Sequence, residues 1–184
     1  MSAGFGESLE QRLAHDAQAH NAEMARAAAE LTNATKAAAR LEGYLRECAT
    51  ELSKKTSPRK VMLARKQGWR RPATWSPLGF VLDASYSDYH PPSITLLLPD
   101  GRLWRSFQPY IQGYLTVQEE FTPKYGRASI LLAGATFEPN LQTGELTASV
   151  GRDPARPVDP YSALVDIATK IITTGTGTGV AIRD

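Results

Sequence analysis

The chain has 184 residues, 42% apolar and 22% charged side chains and a formal net charge of +2, which suits one folded domain plus an extension. No apolar run approaches the ~20 residues a membrane-spanning helix requires, and the opening MSAGFGESLEQRL has neither the basic nor the apolar part of a secretory signal. A single cysteine, Cys48, excludes an internal disulfide and, with three scattered histidines, leaves no Cys/His metal set; the expectation is a cytoplasmic chain, free or within a larger particle, using no cofactor or metal.

Residues 1–56 read as one long helix or coiled-coil extension. Ser8 and Gln11 have the spacing of a capping box. From there to Thr56 there is no proline, Gly43 is the only glycine, and alanine, the best helix former, is abundant. Such a helix would be roughly 70 Å long, too long to lie wholly on a domain built from the rest. Its apolar positions follow a heptad, predicting a helix-association seam of Leu13, Ala17, Met24, Leu31, Ala38, Leu41, Leu45, Cys48 and Leu52, with His20, Ala27 and Ala34 in the same register. One flank of the seam carries Asp16, Glu23, Glu30 and Glu51, with no lysine or arginine on the other flank to answer them. That pattern favours a partner with basic flanks, or close packing along alanines, over a plain two-stranded homodimer.

Residues 57–72 carry the charge anomaly. Residues 1–51 hold five basic and eight acidic side chains, and residues 83–184 hold eight basic and eleven acidic, so each block is −3. The intervening residues 52–82 hold Lys54, Lys55, Arg59, Lys60, Arg65, Lys66, Arg70 and Arg71 with no acid, giving +8. Ser57 followed by Pro58 predicts the start of a short basic helix, and Gly68 with Trp69 predicts its end.

Residues 73–174 read as a small, mostly antiparallel β domain of about six strands with a C-terminal helix, making the fold class α+β. LGFVLD, SITLLLP and RLWRSFQ are strand-like, with Asp100-Gly101 marking a hairpin; YLTVQEEF, ASILLAGATF and ELTASV follow. GRDPARPVDP reads as a proline-rich loop. Asp159 and Pro160 then open a helix whose Tyr161, Leu164, Val165, Ala168, Ile171 and Ile172 are predicted to cover the sheet. Residues 175–184, rich in Gly and Thr, read as a mobile tail.

The basic junction precedes a region holding eleven of the fifteen aromatics, among them Trp69, Trp75 and Trp104. Cations release counterions from nucleic acid and exposed rings stack on bases; the alternatives are a solvated linker, a contact with acidic protein including the chain's own long helix, or an anionic surface. A catalytic centre has one candidate grouping, Asp83, Asp88, His90, Glu119 and Glu120, whose plainer reading is turn chemistry. No nucleophile elbow or phosphate-binding loop is present. These observations predict a non-enzymatic binding or assembly protein that associates, with itself or another protein, through the N-terminal helix. Its basic junction, with Trp69 beside the eight cations, would touch an anionic partner. The alternatives are a nucleic-acid-binding protein and a metal-dependent hydrolase or nuclease.

Overall fold

A computed structural model describes residues 4–64, 74–85, 93–106, 129–151 and 155–179, and it has the α+β architecture expected. Helix α1 runs unbroken over Phe5–Lys55, 51 residues and therefore about 76 Å at 1.5 Å per residue. It begins one turn earlier than the capping-box reading allows: Gly4 is the N-cap, with no side-chain cap. Its end is set by Pro58, which forces the preceding residue out of helical geometry. The Thr56 N–H still closes the last turn on the Leu52 carbonyl, and Lys54 and Lys55 sit where the helix dipole is negative.

The expected short basic helix does not form. Arg59 instead bridges Gly79 as an extended residue, and the Val61 N–H donates to the Ser76 hydroxyl at 2.9 Å. Strand β1 (Met62–Ala64) pairs antiparallel with β2 (Thr74–Trp75). A lone helix of this length is marginal in water, whereas the extended path buries Val61 against Val81, Ile94, Leu96 and Trp104. Residues 65–73, which include Arg65, Lys66, Trp69, Arg70 and Arg71, lie outside the described residues.

Two further antiparallel sheets follow. The first joins β3 (Phe80–Ser85), β4 (Ser93–Leu97) and β5 (Leu103–Ser106) in sequence order. The Asp100-Gly101 hairpin forms as predicted, with Asp100 accepting from the Arg102 backbone N–H at 3.0 Å and from its Nε at 2.7 Å. The second joins β6 (Ile130–Leu132), β7 (Ala135–Pro139), β8 (Leu146–Val150) and β9 (Arg156–Val158). Here ASILLAGATF is two strands, because Ala133 (φ 50°) and Gly134 (φ 85°) both adopt left-handed backbone and turn the chain tightly. The loop expected over 151–160 contains β9, paired with β8. YLTVQEEF lies outside the described residues.

Helix α2 (Pro160–Thr174) is capped as its sequence predicts: the Asp159 carboxylate accepts from the Ser162 N–H and hydroxyl at 2.8 and 2.9 Å. Gly175 ends it in the left-handed conformation at φ 83°. The first residues of the predicted tail belong to the fold, since Thr176 is buried and the Gly177 N–H donates to the Val81 carbonyl at 2.8 Å.

The main core lies between the two helices and both larger sheets. It brings Leu41, Leu45 and Leu52 of α1 together with Leu164 and Ile167 of α2, Phe80 and Leu97 of the first sheet, and Phe137 of the second. The three-stranded sheet is buried on both faces, because Val81, Ile94, Leu96 and Trp104 point the other way, into a second cluster under β1. Two turns hold α1 in place from the sheet side. The β7–β8 turn offers the Leu141 and Gln142 carbonyls to Asn33 Nδ2 at 2.9 and 3.0 Å. The β4–β5 turn places Gly101, at φ 87°, so close to Arg46 that a Cβ there would lie 2.6 Å from the Arg46 Cα.

Candidate functional site

Asn33 divides α1. On its C-terminal side Ala34, Ala37, Leu41, Leu45, Ala49 and Leu52 are buried against the head. This docked face includes Ala37 and Ala49, which are not among the seam residues. Leu41, Leu45 and Leu52 are therefore spent on the molecule's own core and are not available to another chain, a correction to the seam expected from sequence. Ala38 and Cys48 are half-buried. On the N-terminal side the stripe is largely open among the described residues, with only Ala27 and Glu30 half-buried. Leu13 is 60% exposed, Met24 58% and Leu31 55%, and Leu9, Ala17 and His20 are exposed with them. The seam is thus two surfaces on one rod, a docked half and a bare half.

The neck, formed by the end of α1 and the segment leading into β1, carries four of the eight cations among the described residues, in differing states. Lys54 pairs with Glu51 at 2.6 Å on the open helix surface, where such a contact contributes little. Arg59 Nη2 donates to the Gly175 carbonyl at 2.8 Å, so this guanidinium ties the end of α1 to the end of α2. Lys55 and Lys60 are exposed and make no ion pair among the described residues. Trp75, half exposed in β2, lies on the paired strand opposite Met62.

A groove that sequence reasoning missed runs between α1 and α2. The rings of Tyr44 and Tyr161 meet edge to face at 5.5 Å, and the Tyr161 hydroxyl donates to Glu47 Oε1 at 3.3 Å. At the far end Arg59 reaches Gly175, so the two helices run in the same direction. The groove, about 230 Å³, is lined from α1 by Tyr44, Cys48 and Lys55 and from α2 by Tyr161, Val165 and Ile172, with Leu52 as its floor. All six apolar positions assigned to sheet cover on α2 are apolar, but they divide. Leu164 and Ile171 are buried with Ala163 and Ile167, while Tyr161, Val165 and Ile172 face outward. The signal was there: apolar positions on α2 spread wider than one core-facing stripe needs.

Burial shapes the one thiol in the groove. Removal from water first, and the neighbouring Glu47 carboxylate second, push Cys48 up to about 11. It is therefore a neutral packing group at ordinary pH, not a nucleophile. Of the residues considered for catalysis, Asp83 is half-buried in β3 opposite Thr95. Asp88, His90, Glu119 and Glu120 lie outside the described residues. Among the described residues no three His, Cys, Asp or Glu side chains group to hold a metal, and no helix is long and apolar enough to cross a membrane.

The chain matches no protein-family model, and no curated protein or solved structure matches it.

Proposed function

We propose that this is a non-enzymatic assembly protein that associates through the bare half of α1 and presents the cations of its neck to an anionic partner. The observation that carries this reading is the exposure of Leu9, Leu13, Met24 and Leu31 on a helix whose other half buries its leucines against the rest of the fold. An uncovered helix of this length gains little from its own backbone, and an apolar stripe held in water is an association surface. Association multiplies the neck cations in one particle, so weak contacts with an anion combine. The test is light-scattering mass of the full chain against concentration, beside a Leu13→Glu, Met24→Glu variant. Wild type should rise above the 20.1 kDa of one chain and the variant should fall back towards it. A mass equal in the two proteins would refute the reading.

A second reading makes the anion a nucleic acid, favoured by exposed Lys55 and Lys60 and by half-exposed Trp75, which pairs with Met62 two residues beyond Lys60. It requires affinity for single-stranded oligonucleotide that falls steeply with salt and weakens in Lys55→Glu, Lys60→Glu. Binding indifferent to both would dismiss it.

A further inference from the structure

The described part of the molecule exposes ten large apolar side chains, and seven lie on two helical surfaces. Leu9, Leu13, Met24 and Leu31 are on the bare half of α1; Tyr161, Val165 and Ile172 are on the α1–α2 groove. We propose that the groove receives the bare half of α1 from a second copy of this chain, so that each contact is a three-helix packing of α1, α2 and the incoming α1. This rests on the assembly reading above and specifies what the helix associates with.

Three observations lead there. The first is matched periodicity. The α1 rim of the groove is Tyr44, Cys48, Glu51 and Lys55, and the α2 rim is Tyr161, Val165, Ala168 and Ile172. Both step by four, three and four, and the two tyrosines set them in register. The bare stripe repeats the same steps through Leu13, Ala17, His20, Met24, Ala27 and Leu31. Parallel helices presenting aligned heptad rows form the seat into which a third heptad helix fits its side chains. The bare stripe spans about 27 Å between Leu13 and Leu31 and the rims about 17 Å, at 1.5 Å per residue, so the incoming helix covers the whole groove.

The second is that the two surfaces cannot meet within one molecule. Tyr44, Cys48 and Lys55 belong to the same uninterrupted helix as Leu13 and Met24. A continuous helix curves only gently, so its first half cannot fold back against its second. The third is charge. The bare half carries Asp16 and Glu23 along one side of its stripe, each one turn from Arg12 or Arg26 of the same helix, and a self-pair offers no lysine or arginine on the opposite flank. The groove has Lys55, exposed on its α1 rim, to answer these acids. The groove's own acids, Glu47 and the Lys54-paired Glu51, sit on the α1 rim, and the incoming helix has Arg12 and Arg26 to offer them.

The experiment compares full-length chains by sedimentation at a concentration where wild type is at least a dimer. One variant, Val165→Glu with Ile172→Glu, spoils the groove; another, Leu13→Glu with Met24→Glu, spoils the stripe. All four positions are exposed, and circular dichroism confirms folding; Ile172→Arg serves as a second groove variant should the double one unfold. Each variant alone should sediment as a monomer, halving the mass or more. An equimolar mixture should regain a two-chain species, since one partner keeps an intact groove and the other an intact stripe. A groove variant that keeps the wild-type mass, or a mixture that stays monomeric, would overturn the groove assignment while leaving stripe-driven association intact. If the stripe variant also keeps the wild-type mass, the assembly reading fails as well.

Discussion

Leu31 and Leu45 are the same residue at the same heptad position of one helix, two repeats apart, and the structure gives them opposite surroundings. Leu45 is 1% exposed within the main core, and Leu31 is 55% exposed on the bare half. Truncating a buried leucine removes its transfer free energy and leaves a cavity, so Leu45→Ala should cost about 2–5 kcal/mol. For a chain of this size each kcal/mol lowers the melting temperature by about 2–4 °C, so a mid-range loss of ~3 kcal/mol corresponds to roughly 6–12 °C. Leu31→Ala should stay within about 0.5 kcal/mol for the isolated chain, because the lost side chain touches water and alanine is the better helix former. The assay is urea unfolding followed by tryptophan fluorescence, to which buried Trp104 contributes from inside the head. It is run dilute enough for the chain to be monomeric. Under the assembly proposed above, Leu31→Ala at higher concentration should lack the apparent stability that association would add to the wild type, since binding to the folded form alone stabilises it. Equal losses for the two variants in the dilute assay would mean that Asn33 is not where the docked helix ends, and the division of α1 would be wrong.

Three further outcomes follow from single positions. Gly43 is exposed inside α1 with no atom near the place a Cβ would take, so Gly43→Ala should stabilise the helix by about 0.4–1 kcal/mol, read as a higher urea midpoint. Gly101→Ala should do the reverse by at least about 1–2 kcal/mol, since its φ of 87° is left-handed and the new carbon would meet the Arg46 backbone. Cys48 holds its proton more tightly folded, at about 11, than its ordinary value of 9.0. Its contribution is therefore complete below about pH 9 and lost as pH rises towards about 11, where the unfolded chain ionises and the folded one resists. A Cys48→Ala variant should show a flatter fall in stability across that window, measured by urea midpoints at stepped pH.

Much of the architecture was legible because local chemistry and tertiary packing agree. Asp159, Pro160 and Gly175 announce the start and stop of α2, and Asp100-Gly101 announces a hairpin whose turn the structure keeps. The failures fall where distant residues decide. Ser57-Pro58 is a sound helix opening, yet the Ser76 hydroxyl and the Gly79 backbone, some twenty residues on, hold the chain extended. ARPV looks like loop until β8 supplies a partner edge. In each case the winning interaction is absent from the local window.

The long helix illustrates a subtler limit. A heptad written in sequence says that one side of a helix is to be covered, but it has no term for what covers it. From Ala34 onward the cover is a sheet and a second helix of the same chain, and the buried set moves off the heptad to include Ala37 and Ala49. A globular surface accepts a wider stripe than a coiled-coil partner does. Before Asn33 the heptad continues with little cover from the described molecule, only Ala27 and Glu30 being half-buried, and the small residues Ala17 and Ala27 are set among Leu13, His20, Met24 and Leu31. Small and large side chains in alternation let a neighbouring helix approach closely, which is what a narrow groove between two helices demands. The same repeat thus has two surroundings on one rod, and only the burial of its second half separates the docked part from the exposed stripe for which we propose a partner.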